Sequence, residues 1–352
     1  MKILTPHLKI KVLGQGRAWP GSKPVTNYDI LKIHPKHKDK DDDHLKKFAK
    51  KLESTYGFSK RYLSRMPDFS KISQIDVSQE ETSESLSLKA CQFAVNDVNH
   101  KKEINSFVHG TTTSSRYTGS QAPAILSKLK SFAPGFEIKA GCSTSLVSLH
   151  FGISLLLAGY ENTLVSCAET LSKVMHPDLQ ETWFVLADGG AALWIEKNEQ
   201  EPDFLVKKIF YQTDGDYVDM YTVQGKLPPH SKAFERNDYY MYGDGAKLRE
   251  QAIKRYKMMI RSFFPNQEDL KQIKWLIPHQ INRGIIEEIC KETGLEANMI
   301  WSADEFGNVG GTSVLFSLSE AIEKDIIQKG DEVLMMSVGG GLTYAIQHWK
   351  KL

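Results

Sequence analysis

Three kinds of segment occur twice in this chain, in the same order. Residues 106–113 (SFVHGTTT) and 275–282 (WLIPHQIN) are each an apolar run ending in polar residues. Residues 140–146 (AGCSTSL) and 307–315 (GNVGGTSVL) each gather small residues ahead of an apolar helical stretch. Residues 184–196 (FVLADGGAALWIE) and 334–348 (LMMSVGGGLTYAIQH) each read as two short strands about a glycine turn. This spacing is far longer than a solenoid repeat, so it predicts an internal duplication, with two halves built on one plan. Between the markers, runs rich in β-branched residues alternate with helical patterns, which predicts an α/β fold with buried sheets. The seam is expected in residues 197–202 (KNEQEP), a polar stretch that divides the chain into residues 1–199 and 200–352. Two like halves packed face to face bring matching loops together, and such a junction commonly holds an active site.

Composition narrows the function classes. With 352 residues, 41% of them hydrophobic, the chain can bury a large core. A formal charge of +2 lacks the clustered excess of Lys and Arg that a nucleic-acid footprint needs. Residues 1–14 have scattered lysines and no apolar secretion core, so no export is expected. The longest apolar run, 146–160, is interrupted by Ser148, His150, Gly152 and Ser154, and it reads as a buried helix rather than a membrane span. Four cysteines (Cys91, Cys142, Cys167 and Cys290) with no CxxC pair predict neither a disulfide framework nor a cysteine metal site, and a reducing, cytoplasmic setting is expected. Residues 36–51 hold His37, three consecutive aspartates and His44, but blocks of charge usually face water, so they read as a solvated loop entering a helix near Asp43. Lysines 46, 47, 50 and 51 leave docking of an acidic partner open.

Chemistry concentrates at three residues. Cys142 lies between a short strand-like run and a helix that stops at Gly159, which places the thiol at a helix N-terminus, where the dipole and free N–H groups favour the thiolate. His279 ends an apolar run, so its imidazole can donate to a developing oxyanion at the mouth of a buried strand. Asn308 is flanked by Gly307 and Val309-Gly310, where the backbone can come close to a ligand and the amide can stabilise an enolate. Taken singly, these residues read equally as an inert buried cysteine, a helix-capping histidine and a turn asparagine.

Taken together, AGCSTSL with Cys142, PHQIN with His279 and GNVGGTS with Asn308 resemble the Cys-His-Asn set of the β-ketoacyl-acyl-carrier-protein synthase III group of the thiolase superfamily. Further matches cover nearly the whole chain: IKVLGQGRAWPG, YGFSKR (56–61), LADGGA (186–191) and VGGGLT (338–343). The resemblance implies a thiolase-like fold, with duplicated halves forming a five-layer αβαβα sandwich, and a homodimer. It also implies a two-step reaction with no metal or other cofactor. Cys142 would take an acyl group from a phosphopantetheine thioester, with the oxyanion held by its own N–H and that of Gly340. A malonyl thioester on acyl carrier protein would then lose carbon dioxide, and His279 and Asn308 would stabilise the enolate that attacks the acyl-cysteine. Gly307, Asn282 and Glu169 are the further substrate-site candidates that follow from the motifs.

Departures from the family pattern shape the expected substrate. Gln180 stands where relatives that accept coenzyme A carry an arginine, and Lys51 stands where they carry an adenine-stacking tryptophan. Both changes favour an acyl donor carried on a protein. Ile281 replaces a usual alanine, and Val309, Gly310 and Gly311 replace a Thr/Ser-Ser-Ala run, which suits a specialised lipid or polyketide pathway as well as fatty-acid initiation. Glu169 is expected to be structural, or else a base for a cyclisation step as in dialkylresorcinol-forming relatives. Tyr217, Tyr221, Tyr239, Tyr240 and Tyr242 are expected in interface packing rather than in an acyl pocket. The alternatives to a decarboxylating condensation are a plain acyltransferase and a catalytically silent subunit.

Overall fold

The computed structural model describes residues 2–66, 81–96, 102–176 and 179–352. Among these, the main sheet comprises β1 (Leu8–Ala18), β2 (Phe107–Gly110), β3 (Gly135–Ile138), β4 (Asn162–Thr170), β5 (Asp188–Lys197), β6 (Phe204–Thr213), β7 (Ile273–Pro278), β8 (Asn298–Met299), β9 (Glu332–Gly339) and β10 (Thr343–Lys351). Hydrogen bonding orders them β3-β2-β4-β5-β1-β6-β10-β9-β7-β8. The first half therefore runs β1-β5-β4-β2-β3 and the second β6-β10-β9-β7-β8, the same order strand for strand. Directions repeat too: β5 is antiparallel to β1 and β4, as β10 is to β6 and β9. β2 is parallel to β3 and β4, as β7 is to β8 and β9. The two five-stranded sets meet only where Leu8, Lys9 and Ile10 of β1 pair with Phe204, Leu205 and Val206 of β6.

The main helices complete the layers. They are α1 (Asp42–Tyr56), α2 (Ser83–Asn96), α3 (Thr144–Leu157), α4 (Gly245–Phe263), α5 (Arg283–Thr293) and α6 (Ser313–Glu323). α2 covers β1, β5 and β4, α4 packs on α5 and β9, and α3 and α6 contact each other between the two sheets. The result is a five-layer αβαβα sandwich. Separate apolar cores fill the spaces: Phe107, Trp194 and Ala90 under α2, and Phe263, Ile286 and Leu334 under α4 and α5. The central core joins Leu146, Leu149 and Leu193 of the first half to Ile277, Leu315 and Trp349 of the second. β4 and β9 are buried at every position, as strands covered on both faces are.

Among the directional bonds that tie the two halves through this central layer, two hold the α3 end to β10. Ser143 donates its hydroxyl to the Thr343 carbonyl at 2.7 Å, and the Gln347 amide donates to the Leu146 carbonyl at 2.9 Å.

Local chemistry sets the element ends. Asp41 caps α1 by accepting from the His44 N–H at 2.9 Å, and Gly57 closes it at φ +81°. The charged stretch around α1 faces solvent, with Lys46 paired to Asp42 at 2.6 Å and Lys47, Lys50 and Lys51 exposed. One expected element is absent: residues 184–196 do not form two strands about a turn. The segment Gln180–Val185 is helical, and β5 begins only at Asp188, because its antiparallel partner β4 arrives from much earlier in the chain. The side chain of Gln180 lies outside the described set.

Candidate active site

Cys142 sits in a single 3-10 turn, Gly141–Ser143, just ahead of α3. The turn is held against the glycine turn between β9 and β10. A Cβ on Gly339 would lie 2.2 Å from the Cys142 backbone nitrogen, and one on Gly141 would lie 2.7 Å from the Gly340 oxygen. Only glycines permit this approach. The backbone N–H groups of Gly340 and of Cys142 itself favour the charged form of the sulfur.

The thiol is not acidified in the way its helix-end position predicts. Cys142 keeps some solvent contact as a residue, but protein surrounds its sulfur. Burial pushes the thiol up to about 12, the nearby Glu169 carboxylate adds to that, and the two N–H groups only partly offset it. α3 itself starts at Thr144, so Cys142 lies in the turn that precedes the helix.

Glu169, at the end of β4, is completely buried. Its carboxylate accepts from the N–H groups of Thr112 (2.9 and 3.0 Å) and Thr113 (3.0 Å) and from the Thr113 hydroxyl (2.6 Å). Burial nevertheless raises it to about 7, against the lowering effect of those donors. It lies beneath the Gly310–Thr312 turn, since a Cβ on Gly311 would come within 3.0 Å of its Oε1 and 2.7 Å of the Gly141 oxygen.

That glycine pair links the remaining groups. Asn308 is buried, donates its N–H to Val185, accepts from the Ala187 N–H, and takes the Gly310 N–H on Oδ1 at 2.9 Å. With Oδ1 so occupied, Nδ2 is the end of the amide left to donate. His279 follows β7, anchored by its N–H to Met336, and its ring faces the Gly310 backbone. Nδ1 is 2.8 Å from the Ser313 hydroxyl, while Nε2 is buried with no hydrogen-bond partner among the described residues. Burial lowers the imidazole to about 4, so it is neutral near pH 7. If Ser313 donates its hydroxyl proton to Nδ1, the ring proton sits on Nε2.

Two other sequence candidates stand apart. Gly307, at φ +71°, is wedged where a Cβ would strike Ala187 and the Arg61 side chain at 2.7 and 2.8 Å, so it shapes the chain before Asn308. Asn282 is the N-cap of α5, accepting from Ile285 N–H at 3.2 Å and donating to the Thr55 carbonyl at 3.2 Å. The tyrosines separate: Tyr221 lays its carbonyl over Gly340, Tyr217 lies under Lys247 and Arg255, and Tyr239 rests on Phe234. Ser313 and the Thr112–Thr113 N–H pair were not singled out from the sequence. The TTT run and the serine after the glycine pair were visible there, but only the fold shows that they face His279 and Glu169.

The family described as 3-oxoacyl-[acyl-carrier-protein (ACP)] synthase III matches residues 136–215, and its C-terminal counterpart matches 265–351. The chain is 31% identical over 281 residues to the beta-ketoacyl-[acyl-carrier-protein] synthase III of Clostridium kluyveri, covering 78% of this chain and 85% of that one. Its fold is similar to that of 3-oxoacyl-[acyl-carrier-protein] synthase III from Aquifex aeolicus, with TM-score 0.77 and 23% identity over 97% and 99% of the two chains. It is similar in fold also to the priming beta-ketosynthase from the R1128 polyketide biosynthetic pathway, with TM-score 0.76 and 19% identity over 99% and 98%.

Proposed function

Since the chain belongs to the 3-oxoacyl-[acyl-carrier-protein] synthase III family, we propose that this acyl-transferring condensing enzyme works through Cys142, His279 and Asn308. Residues 1–199 supply the sulfur, and residues 200–352 supply the imidazole and the carboxamide. The observation that supports this reading is the packing of the Cys142 turn against both the Gly339–Gly341 turn and the Gly310–Gly311 pair.

The chemistry proceeds in two steps. Cys142 attacks an acyl thioester, and the oxyanion is held by the N–H groups of Cys142 and Gly340. The thiol proton leaves on the departing phosphopantetheine thiolate, so this exchange is balanced without a separate base. That matters for a thiol pushed up to about 12, because the proton needs to leave only as the carbon–sulfur bond forms. A malonyl group on acyl carrier protein then loses carbon dioxide. Its enolate oxygen is met by His279 Nε2 and Asn308 Nδ2, two neutral donors that stabilise the enolate without protonating its carbon. Attack on the acyl-cysteine expels the Cys142 sulfur, which regains a proton from water. The substrates bring the phosphopantetheine arm, and the chain supplies sulfur, imidazole and amide. The exposed Lys51 favours a carrier-borne acyl donor, and the protein works as a homodimer in the cytoplasm.

Intact-mass analysis tests the reading. Wild type and Cys142→Ala are mixed with a panel of acyl carrier proteins and acyl-coenzyme A thioesters, and carbon dioxide release from malonyl carrier protein is followed. An acyl adduct in wild type alone, with carbon dioxide released only after acylation, is the expected result. An adduct that survives in Cys142→Ala defeats it.

A further inference from the structure

α4 turns Tyr256, Met259, Ile260 and Phe263 inward, into the apolar core beneath it. Against such a core a phenylalanine would pack as well, and a hydroxyl there is unfavourable unless it is bonded. The Tyr256 hydroxyl accepts the backbone N–H of Val338 at 3.2 Å. Val338 lies two residues beyond Met336, the last residue of β9 paired with β7, so its N–H goes to the phenol rather than to that strand. Gly339 comes next, packed on the Cys142 backbone, and then Gly340, which packs on Gly141 and whose N–H favours the charged form of the Cys142 sulfur. The hydroxyl thus fixes the peptide from which the glycine turn springs. Burial, and then the charge of Cys142, raise the phenol, so the hydroxyl stays protonated.

We propose that Tyr256 is a positioning residue for acyl transfer: its hydroxyl pins the end of β9 so that the Gly340 N–H is held against the Cys142 sulfur and, during attack, against the thioester oxyanion. The proposal rests on Cys142 being the nucleophile. Loss of the hydroxyl leaves Val338 N–H buried without an acceptor and frees the turn to shift, and small displacements of an oxyanion donor are costly.

The test compares Tyr256→Phe with wild type, using the hexanoyl thioester of N-acetylcysteamine as the acyl probe and iodoacetamide as a probe of the sulfur alone. Single-turnover acylation is expected to fall by about tenfold, a fraction of what deleting an oxyanion donor outright costs. Alkylation by iodoacetamide, which forms no oxyanion, should fall only as far as its pH profile moves to higher pH. Acylation within twofold of wild type with an unchanged alkylation profile overturns the proposal, as does a loss that merely follows the folded fraction. Should the phenylalanine variant not fold, 3-fluorotyrosine placed at 256 keeps the shape and weakens the acceptor, and a smaller loss in the same direction is expected. Wild-type adducts that persist in Cys142→Ala instead point to failure of the nucleophile assignment.

Discussion

A cysteine sulfur enclosed by protein and placed near a carboxylate is resistant to ionisation, and this has consequences at single residues. With the thiol pushed up to about 12, the rate of Cys142 alkylation by iodoacetamide is expected to keep climbing through pH 9, where an acidified thiolate would already be at plateau. Glu169→Gln removes the nearby charge and should raise that rate several-fold at fixed pH; an unchanged rate would show that Glu169 does not act on the sulfur. His279 and Glu169 also give folding stability two opposed pH slopes. His279 is held at about 4 against 6.5, so between those values the unfolded chain binds a proton that the folded chain rejects. Stability therefore drops as pH falls through that window, by about 3 kcal/mol in all. Glu169 is held at about 7 against 4.5, so its contribution is complete below 4.5 and is lost as pH rises through 7, again by about 3 kcal/mol. Because the two windows overlap almost completely, the slopes nearly cancel in wild type, and melting temperatures from pH 4 to 8 should fall with rising pH in His279→Gln and climb with rising pH in Glu169→Gln; parallel curves for all three proteins would refute the assignment. The place of Cys142 ahead of a helix was legible in AGCSTSL, but its ionisation was not. Burial and the approach of Glu169 come from packing that no local motif encodes.

Among elements, the glycine turn between β9 and β10 carries the strongest constraint. A methyl group on Gly339 would meet the Cys142 backbone, which cannot step aside as a flexible side chain could. Gly339→Ala is therefore expected to lower acylation by about 100-fold or more, the scale of loss from displacing a reacting group by about 1 Å. Gly119→Ala, with open space at its Cβ, is the control and should match wild type in single-turnover acylation and melting temperature. Equal behaviour of the two variants would mean that the turn is not a fixed part of the site. The hairpin itself was readable, since apolar runs flank GGG in 334–348. The superficially similar 184–196 misled because LADGGA also joins apolar runs, yet its first run ends a helix and Leu186 bridges to Asn308 instead of pairing along β5. Glycines alone do not distinguish a hairpin turn from a close crossing of chains.

For the whole molecule, the repeated strand order and the shared central core act in opposite directions. The order of five strands recurs, and recurring markers made that plan legible before any coordinates. The central core, however, draws residues from both halves, from Leu8 to Trp349. Neither half can bury its inner face alone. Chemical denaturation is thus expected to show one transition, with Trp194→Phe and Trp349→Phe variants reporting the same midpoint by fluorescence and far-UV circular dichroism. Midpoints that separate would mean the halves are energetically independent. The pairing of Ser143 with Thr343 and of Gln347 with Leu146 gives this shared core a property that apolar contact lacks. Greasy surfaces resist being pulled apart but hardly resist sliding, because their attraction has no direction. These polar ties work as dowels between machined plates: they index one half on the other, so that Cys142, His279 and Asn308, delivered by different ends of the chain, arrive in register on every folding event.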